Sequence, residues 1–542
     1  MTPSTGGDAA ALMQECEPPE RRERNLDRGY AVFHRRGRPS ATSARPARSP
    51  DDRASRMSPL PFHRRLIAIP AATSRTLVLV LLALMALAAP ASASRSQTTS
   101  FEAPRDLLLD ASTRSAALDE IQGLGVDSLR VVLAWRSVAP NATSSVKPDF
   151  DTTDPAGYAW GQYDALLTEA KERKMTVLLT VSGPVPKWAT ENKKDFVTRP
   201  DPGEFAQFMT AVGRHFASRV QTWSVWNEPN QPQFLLPQCV GGKDARRPCA
   251  GGKPFSPRLY RALYKAALKG LKAAKVASPD VLIGETSPRG TGKVVAPLTF
   301  LRGALCLDAK NRRQKGCGKL VTAGVAHHAY TTREGPRFVP TGPNDVTISV
   351  LRRLTTLIDR AGRSGAVPKG LPLHLTEFGI QSAPDPIFGV SLQRQEEYRA
   401  LSERIAYRNP RVKTFSQYLL RDDDPQDGPP DSRYSGFESG LRTAGGKAKP
   451  AFDGFRVVLS ALRTRSSTSL WGLVRPATGA TSVRVEYRSG ARGTWRALTT
   501  ARTNARGFFS ARTKRVSGRQ YRAVWTSPSG ATLRGAPQRP LS

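Results

Sequence analysis

From about residue 100 to 461 two textures alternate eight times, and this alternation limits the possible folds more than any other feature of the chain. Short Val/Leu/Ile-rich runs, bounded by turn residues, alternate with longer Ala/Leu/Arg-rich stretches of helical spacing. The short runs lie at 105–109, 127–134, 175–181, 221–226, 281–285, 321–328, 372–378 and 412–419. Helical stretches fall at 113–122, 160–173, 203–217, 257–274, 295–305, 346–361, 391–407 and 450–461. Strands that are apolar on both faces belong in a parallel sheet covered by helices. Eight such units predict an α/β fold, a (β/α)8 TIM barrel, over residues 94–461.

The helical spacing disappears after that. Residues 462–542 contain short alternating runs such as "SVRVEYRS", "GFFSARTK" and "QYRAVWTS", separated by Gly and Asn/Ser turns. They predict a small all-β sandwich, and the pattern resembles immunoglobulin- or fibronectin-like accessory domains of secreted bacterial proteins. Charge concentrates here. Of the formal net +37, residues 463–542 contribute 16 Lys and Arg against a single acid, Glu486. Arginine alternates with Val, Tyr, Trp and Phe, so the cations share the solvated face. Such an excess attracts polyanions. For an exported protein these are anionic cell-wall polymers or acidic polysaccharides rather than nucleic acid.

Export is suggested by residues 77–90, "LVLVLLALMALAAP", preceded by Arg64, Arg65 and Arg75 and followed by "ASA". A basic region, a short apolar core and an A-x-A site make a signal peptide over 57–93, cleaved near Ala93, and the apolar run is short for a membrane span. Residues 1–56, rich in Arg, Pro and Ser, form a disordered or mis-called extension. The product would be secreted or cell-surface. Four of the five cysteines form two close pairs, Cys239/Cys249 and Cys306/Cys317, among glycines and basic residues. Two local disulfide clips suit an oxidising compartment. Zinc is the alternative, disfavoured by the spacings and by the lack of a nearby histidine.

Catalytic groups of such barrels stand at the C-terminal ends of the strands. There the sequence places Arg130, Trp188 after "SGPVPK", Asn227-Glu228-Pro229 within "WNEPN", Glu285, His328 and Tyr330 within "HHAY", Glu377 within "LTEFG", and Tyr418. Glycoside hydrolysis needs two carboxyl groups flanking one bond, one donating a proton while the other attacks or activates water. Glu228 and Glu377, on separate strands of one rim, supply such a pair. Asn227 is suited to a sugar 2-hydroxyl, and Pro229 ends strand pairing beside it. Glu285 is expected to be structural. Trp188 is a candidate sugar-stacking platform. No H-E-x-x-H and no phosphate-binding G-x-x-x-x-G-K-[ST] loop is present, so neither metal nor cofactor is expected.

"WNEPN", "HAY" and "LTEFG", in that order on strands four, six and seven of an eightfold barrel, resemble the clan A glycoside hydrolases, most of all family 39 and the related family 5 cellulase-like proteins. The resemblance covers roughly 100–461. It implies a retaining double displacement on a poly- or oligosaccharide, with Glu228 as acid/base and Glu377 as nucleophile. Asn227 would bind the sugar, and Arg130, His328 and Tyr330 would surround the nucleophile. Glu228 is expected to have no cationic partner. Strand eight of these families usually brings a tryptophan under the sugar; here the run "FSQYLLRDDD" offers Tyr418 instead. That departure leaves an alternative, a non-catalytic carbohydrate- or wall-polymer-binding protein on the same barrel. The chain is expected to act as a monomer.

Overall fold

The structure, a computed structural model, describes residues 96–542. The signal-peptide and extension expectations, and Cys16, lie outside the described residues.

Eight parallel strands close into a barrel: β1 Thr98–Glu102, β2 Ser128–Ala134, β3 Thr176–Ser182, β4 Thr222–Val225, β5 Asp280–Thr286, β6 Gly324–His328, β7 Leu373–Glu377 and β8 Val412–Tyr418. Each pairs with its sequence neighbours, and β8 closes on β1 from Thr98 opposite Thr414 to Glu102 opposite Tyr418. The principal helices are α1 Arg114–Gly123, α2 Gly161–Glu172, α3 Pro202–Phe216, α4 Ser256–Ala273, α5 Pro297–Ala304, α6 Leu351–Arg363, α7 Leu392–Arg408 and α8 Pro450–Arg456. Several have sequence-encoded starts. The Asp201 carboxylate accepts from the backbone N–H groups of Gly203 and Glu204 with Pro202 at the first turn, and the Ser391 hydroxyl accepts from Arg394 N–H.

Two elements depart from the sequence expectation. The first strand is not 105–109: β1 lies at 98–102, and Arg105–Leu109 forms a turn of π-helix led in by Pro104 in helical conformation. Residues Ser100 and Glu102 of β1 are buried polar groups, so this strand lacks the apolar run that marks the others. The helix expected over 450–461 stops at Arg456; β9, Val457–Arg463, follows at the next residue.

β9 begins the C-terminal sandwich, continued by β10 Ser467–Val474, β11 Ser482–Ser489, β12 Arg496–Arg502, β13 Phe508–Lys514, β14 Arg519–Thr526 and β15 Thr532–Arg534. An antiparallel sheet β9-β10-β13 faces an antiparallel sheet β12-β11-β14-β15. Alternate residues of the strands fill the core between them: Val457, Leu459 and Ala461 with Leu470, Val483, Val485, Phe509, Tyr521 and Trp525. The opposite face of the first sheet presents Val458, Trp471, Leu473 and Phe508 to Ala400 and Tyr407 of α7. Around that apolar contact, buried Arg475 pairs with Glu403, Arg399 with Glu396 and Glu403, and Arg539 with Glu397. Arg475 also donates to Thr99, and Arg506 pairs with Asp127, at the N-terminal ends of β1 and β2. The sandwich therefore docks on α7 and the barrel floor, away from the strand ends that carry the motifs named above.

Cys239–Cys249 and Cys306–Cys317 are both disulfide-bonded, with Cα atoms 5.1 and 6.2 Å apart. The first clips a ribbon between β4 and α4 in which Cys239–Val240 pairs with Lys253–Pro254. Two disulfides fit an oxidising environment. Among the described residues no helix is long and apolar enough to cross a membrane.

Candidate active site

Inside the barrel a small apolar group, Leu178, Leu282 and Ala326, underlies a charged layer. Arg130 stands at its centre, buried. Its Nη1 lies 3.1 Å from Glu377 Oε2 and also pairs with Glu102; its Nη2 lies 2.7 Å from Asn227 Oδ1 and 3.1 Å from Glu285 Oε2. The guanidinium fork suits this work, because it offers several donors in one rigid plane. By taking the Asn227 carbonyl oxygen it leaves the amide Nδ2 as the group that can meet a sugar hydroxyl.

Strand ends deliver these groups through irregular backbone. Trp226, Glu228 and Glu285 have φ of 69°, 38° and 48°, a region that residues with a Cβ rarely adopt. The register of β5 against β6 shifts between Gly284 and Thr286, and that of β6 against β7 shifts before the His328–Glu377 pairing. Bulges of this kind re-aim a side chain. Simple alternation would turn Glu285 away from Leu282 and the interior; the bulge brings it in. The "WNEPN" turn is held by its neighbours. Asn227 N–H donates to Ser182 Oγ at 2.8 Å and Glu228 N–H to the Glu285 carbonyl at 3.0 Å. Asn230, wholly buried, donates to Ser287 Oγ and the Val295 carbonyl and accepts from Ser287 N–H, fixing this turn to the loop after β5.

Both carboxyls of interest reach His328. Its Nδ1 is 2.9 Å from Glu228 Oε1 and 3.4 Å from Glu377 Oε2, while Nε2 is 2.7 Å from Glu285 Oε2. Burial opposes charge on this ring, but the Glu377 charge and the hydrogen bonds of Glu228 and Glu285 push it up to about 10. Glu228 thus has a hydrogen-bonding imidazole at 2.9 Å, where no partner able to carry positive charge was expected. That expectation failed because the ring turns its Nδ1 toward the β4 end as well as toward β7. Tyr330 donates its hydroxyl to Glu377 Oε1 at 2.6 Å; burial and then the Glu377 charge hold the phenol well above its ordinary range, so it stays a donor. Tyr418 is half-buried and meets Phe437 edge-on at 5.1 Å, the same ring that packs against Tyr330 at 6.2 Å. It therefore belongs to this mouth.

Trp188 does not. Its ring is 4% exposed, sits edge-on to Trp135 at 5.7 Å and donates Nε1–H to the Pro140 carbonyl. It is core, with no open face for a sugar. Two site residues escaped the sequence. Glu285, expected to be structural, accepts from Arg130, His328, Thr376 (2.8 Å) and Thr180 (3.2 Å). Gly284 just before it was the available signal, since glycine inside a strand marks a bulge. Glu102 stands on the strand that the sequence misplaced. Burial pushes its carboxyl up to about 7 against the opposing charge of Arg130. Among the described residues, no group of three or more His, Cys, Asp or Glu is arranged to hold a metal ion.

No family model matches the chain, and no curated protein matches it. Among solved structures it is similar to a family 39 glycoside hydrolase from the gut symbiont Bacteroides cellulosilyticus WH2, with 15% identity, 79% of this chain and 81% of that one covered, and a TM-score of 0.45. It is similar to a glucosidase from Croceicoccus marinus at 12% identity, covering 84% and 98%, with a TM-score of 0.46. It is also similar to a family 1 β-glucosidase from Thermotoga maritima at 15% identity, covering 63% and 84%, with a TM-score of 0.40.

Proposed function

We propose that the chain is a secreted O-glycoside hydrolase that cleaves a poly- or oligosaccharide with retention of configuration. The observation that carries this reading is the placing of Glu228 and Glu377 about one imidazole nitrogen. Legs of 2.9 and 3.4 Å bring one oxygen of each carboxyl to a shared point, as a pair flanking one glycosidic bond requires. Glu377 attacks the anomeric carbon as the bond to the leaving oxygen breaks, and Glu228 gives that oxygen a proton. Water then attacks the same carbon, passes a proton to Glu228 and frees Glu377. Arg130 and Tyr330 grip one Glu377 oxygen each, which fixes the angle of attack. Arg130 also holds Asn227 ready for the sugar. Export is supported by the two disulfides.

The test is proton NMR of the first product anomer, after a panel of aryl glycosides and polysaccharides has identified a substrate. Retention is expected; the opposite anomer appearing first would refute the double displacement. Tight binding with no product would favour the non-catalytic alternative.

The sandwich has a separate proposed role, to hold an anionic polymer. The outer face of β11 and β14 carries Arg484, Arg488 and Arg522, with the guanidinium carbons of Arg488 and Arg522 4.6 and 4.2 Å from the Trp495 ring centroid. The domain's one carboxylate, Glu486, is already bridged between Arg484 and Arg522. The other cations of this face have no acid within the domain to neutralise them.

A further inference from the structure

We propose that Glu285 is a positioning residue of this site: seated behind His328, it keeps that ring doubly protonated, so that a fixed cation stands between the two carboxyls that carry the reaction. The inference rests on the glycosidase reading for its kinetic consequence, and on hydrogen-bond and ion-pair geometry for the charge.

An imidazole with one proton donates from one nitrogen only. His328 has a carboxyl oxygen at each, Glu228 at Nδ1 and Glu285 at Nε2. Glu285 is wholly buried and anchored by the Arg130 guanidinium and the hydroxyls of Thr376 and Thr180. Arg130 can only donate, and its fixed charge beside Glu285 favours the anion, so His328 Nε2 donates to it; at Nδ1 the Glu377 carboxylate, 3.4 Å away, favours the second ring proton. Burial opposes the charge, yet Arg130 and His328 hold Glu285 well below the usual carboxylate range. The charged and titratable groups facing the ring are Glu102 on β1, Arg130 on β2, Glu228 after β4, Glu285 on β5, His327 beside it and Glu377 on β7.

His327 provides the contrast within the same strand. Its Nδ1 meets Thr286 Oγ1 at 2.9 Å and its Nε2 the Val346 carbonyl at 2.8 Å. A hydroxyl can donate to the first and the ring can donate to the second, so the neutral form satisfies both. Burial pushes this histidine down to about 4.

The arrangement has a use in both half-reactions. After Glu228 has given up its proton, the cation 2.9 Å away stabilises the carboxylate that must next accept one from water. Before that step the same cation lies 3.4 Å from Glu377 Oε2. Replacing Glu285 by glutamine removes the reason for the second ring proton. Glu228 and Glu377 then lose a cation nearer to them than Glu285 is, and both become harder to ionise.

The experiment uses the full chain, with histidine nitrogens labelled with nitrogen-15 and His328 assigned through His328→Asn. At pH 7.5 both His328 nitrogens are expected to be protonated while His327 is neutral. In Glu285→Gln, His328 becomes neutral, and both limbs of the kcat/KM–pH profile move up by about one unit. Thr376→Val, which removes one anchor, shifts them the same way by less. A purely structural Glu285 would lower the rate and leave the limbs in place. A neutral His328 in the unmodified chain, a ring still doubly protonated in Glu285→Gln, or unmoved limbs would overturn the proposal. Should Glu285→Gln fail to fold, the spectrum of the unmodified chain and Thr376→Val decide. A chain that hydrolyses nothing refutes the glycosidase reading and leaves the spectrum to judge the ring.

Discussion

The guanidinium of Arg130 lies 3.1 Å from the carboxylate of Glu377, across 247 positions of sequence. The same group serves Glu102 and Glu285, so one buried cation ties together β1, β2, β5 and β7. Arg130→Gln would leave those carboxylates buried and short of a partner, which in other proteins costs about 3–5 kcal/mol. The expected result is a clear fall in the denaturation midpoint. Arg130→Lys, which keeps the charge and loses the fork, should fall between. Urea unfolding followed by tryptophan fluorescence measures both.

Loss of either carboxyl should be distinguishable by chemistry. Glu377→Ala is expected to show no turnover, and added azide should restore cleavage of an activated aryl glycoside with inverted product. Glu228→Ala should slow hydrolysis of a poor leaving group by about 10²–10⁴-fold. With an activated leaving group it should regain rate from azide with the configuration kept. Unchanged turnover in both variants would remove these residues from the mechanism.

Stability should decline from mildly acidic to neutral pH. Burial, followed by the charges of Asp385, Asp422 and Asp423, pushes Glu438 up to about 8; burial likewise pushes Glu396 to about 7 against Arg399. Each lies well above the ordinary glutamate range. A folded-state value above the unfolded one gives stability that is complete below the unfolded value and disappears as pH rises through the folded one. The thermal midpoint should therefore drop by roughly several degrees between pH 5 and 8, and Glu438→Gln should flatten the curve. Scanning calorimetry at fixed ionic strength tests it.

Removing residues 457–542 should not release a soluble barrel. The cut would expose Ala400 and Tyr407 and strip Glu396, Glu397 and Glu403 of Gln538, Arg539 and Arg475. Aggregation on expression is expected, and a monodisperse, cooperatively unfolding 94–456 fragment would contradict the docking described above.

Retention of the full chain on immobilised polygalacturonate should weaken steeply with salt, as screening of exposed charges requires. Arg488→Glu with Arg522→Glu should abolish it without changing hydrolysis of a small neutral aryl glycoside. Retention unaffected by the double variant would place polymer binding elsewhere.

The barrel was legible because seven of its strands announce themselves with apolar runs. β1 did not, since Ser100 and Glu102 spend its interior face on polar contacts and the neighbouring "LLL" of 107–109 imitates a strand. Side-chain direction was legible while period-two alternation held, as for His327 and His328, which face opposite ways. It failed at Glu285, where a bulge intervenes. Trp188 failed for another reason: an indole in a loop beside a cleft and one folded under that loop have the same local sequence. The imidazole beside Glu228 could not be read from spacing, because the contact depends on how one ring is turned.

Arg456 ends a helix and Val457 begins a strand, with nothing between them. A module on a string can search the space around its tether; this one has no string. Under the proposed function, whatever the outer sheet grips is carried at a set offset from the cleft, and lengthening that junction is expected to change where along a polymer the cut falls.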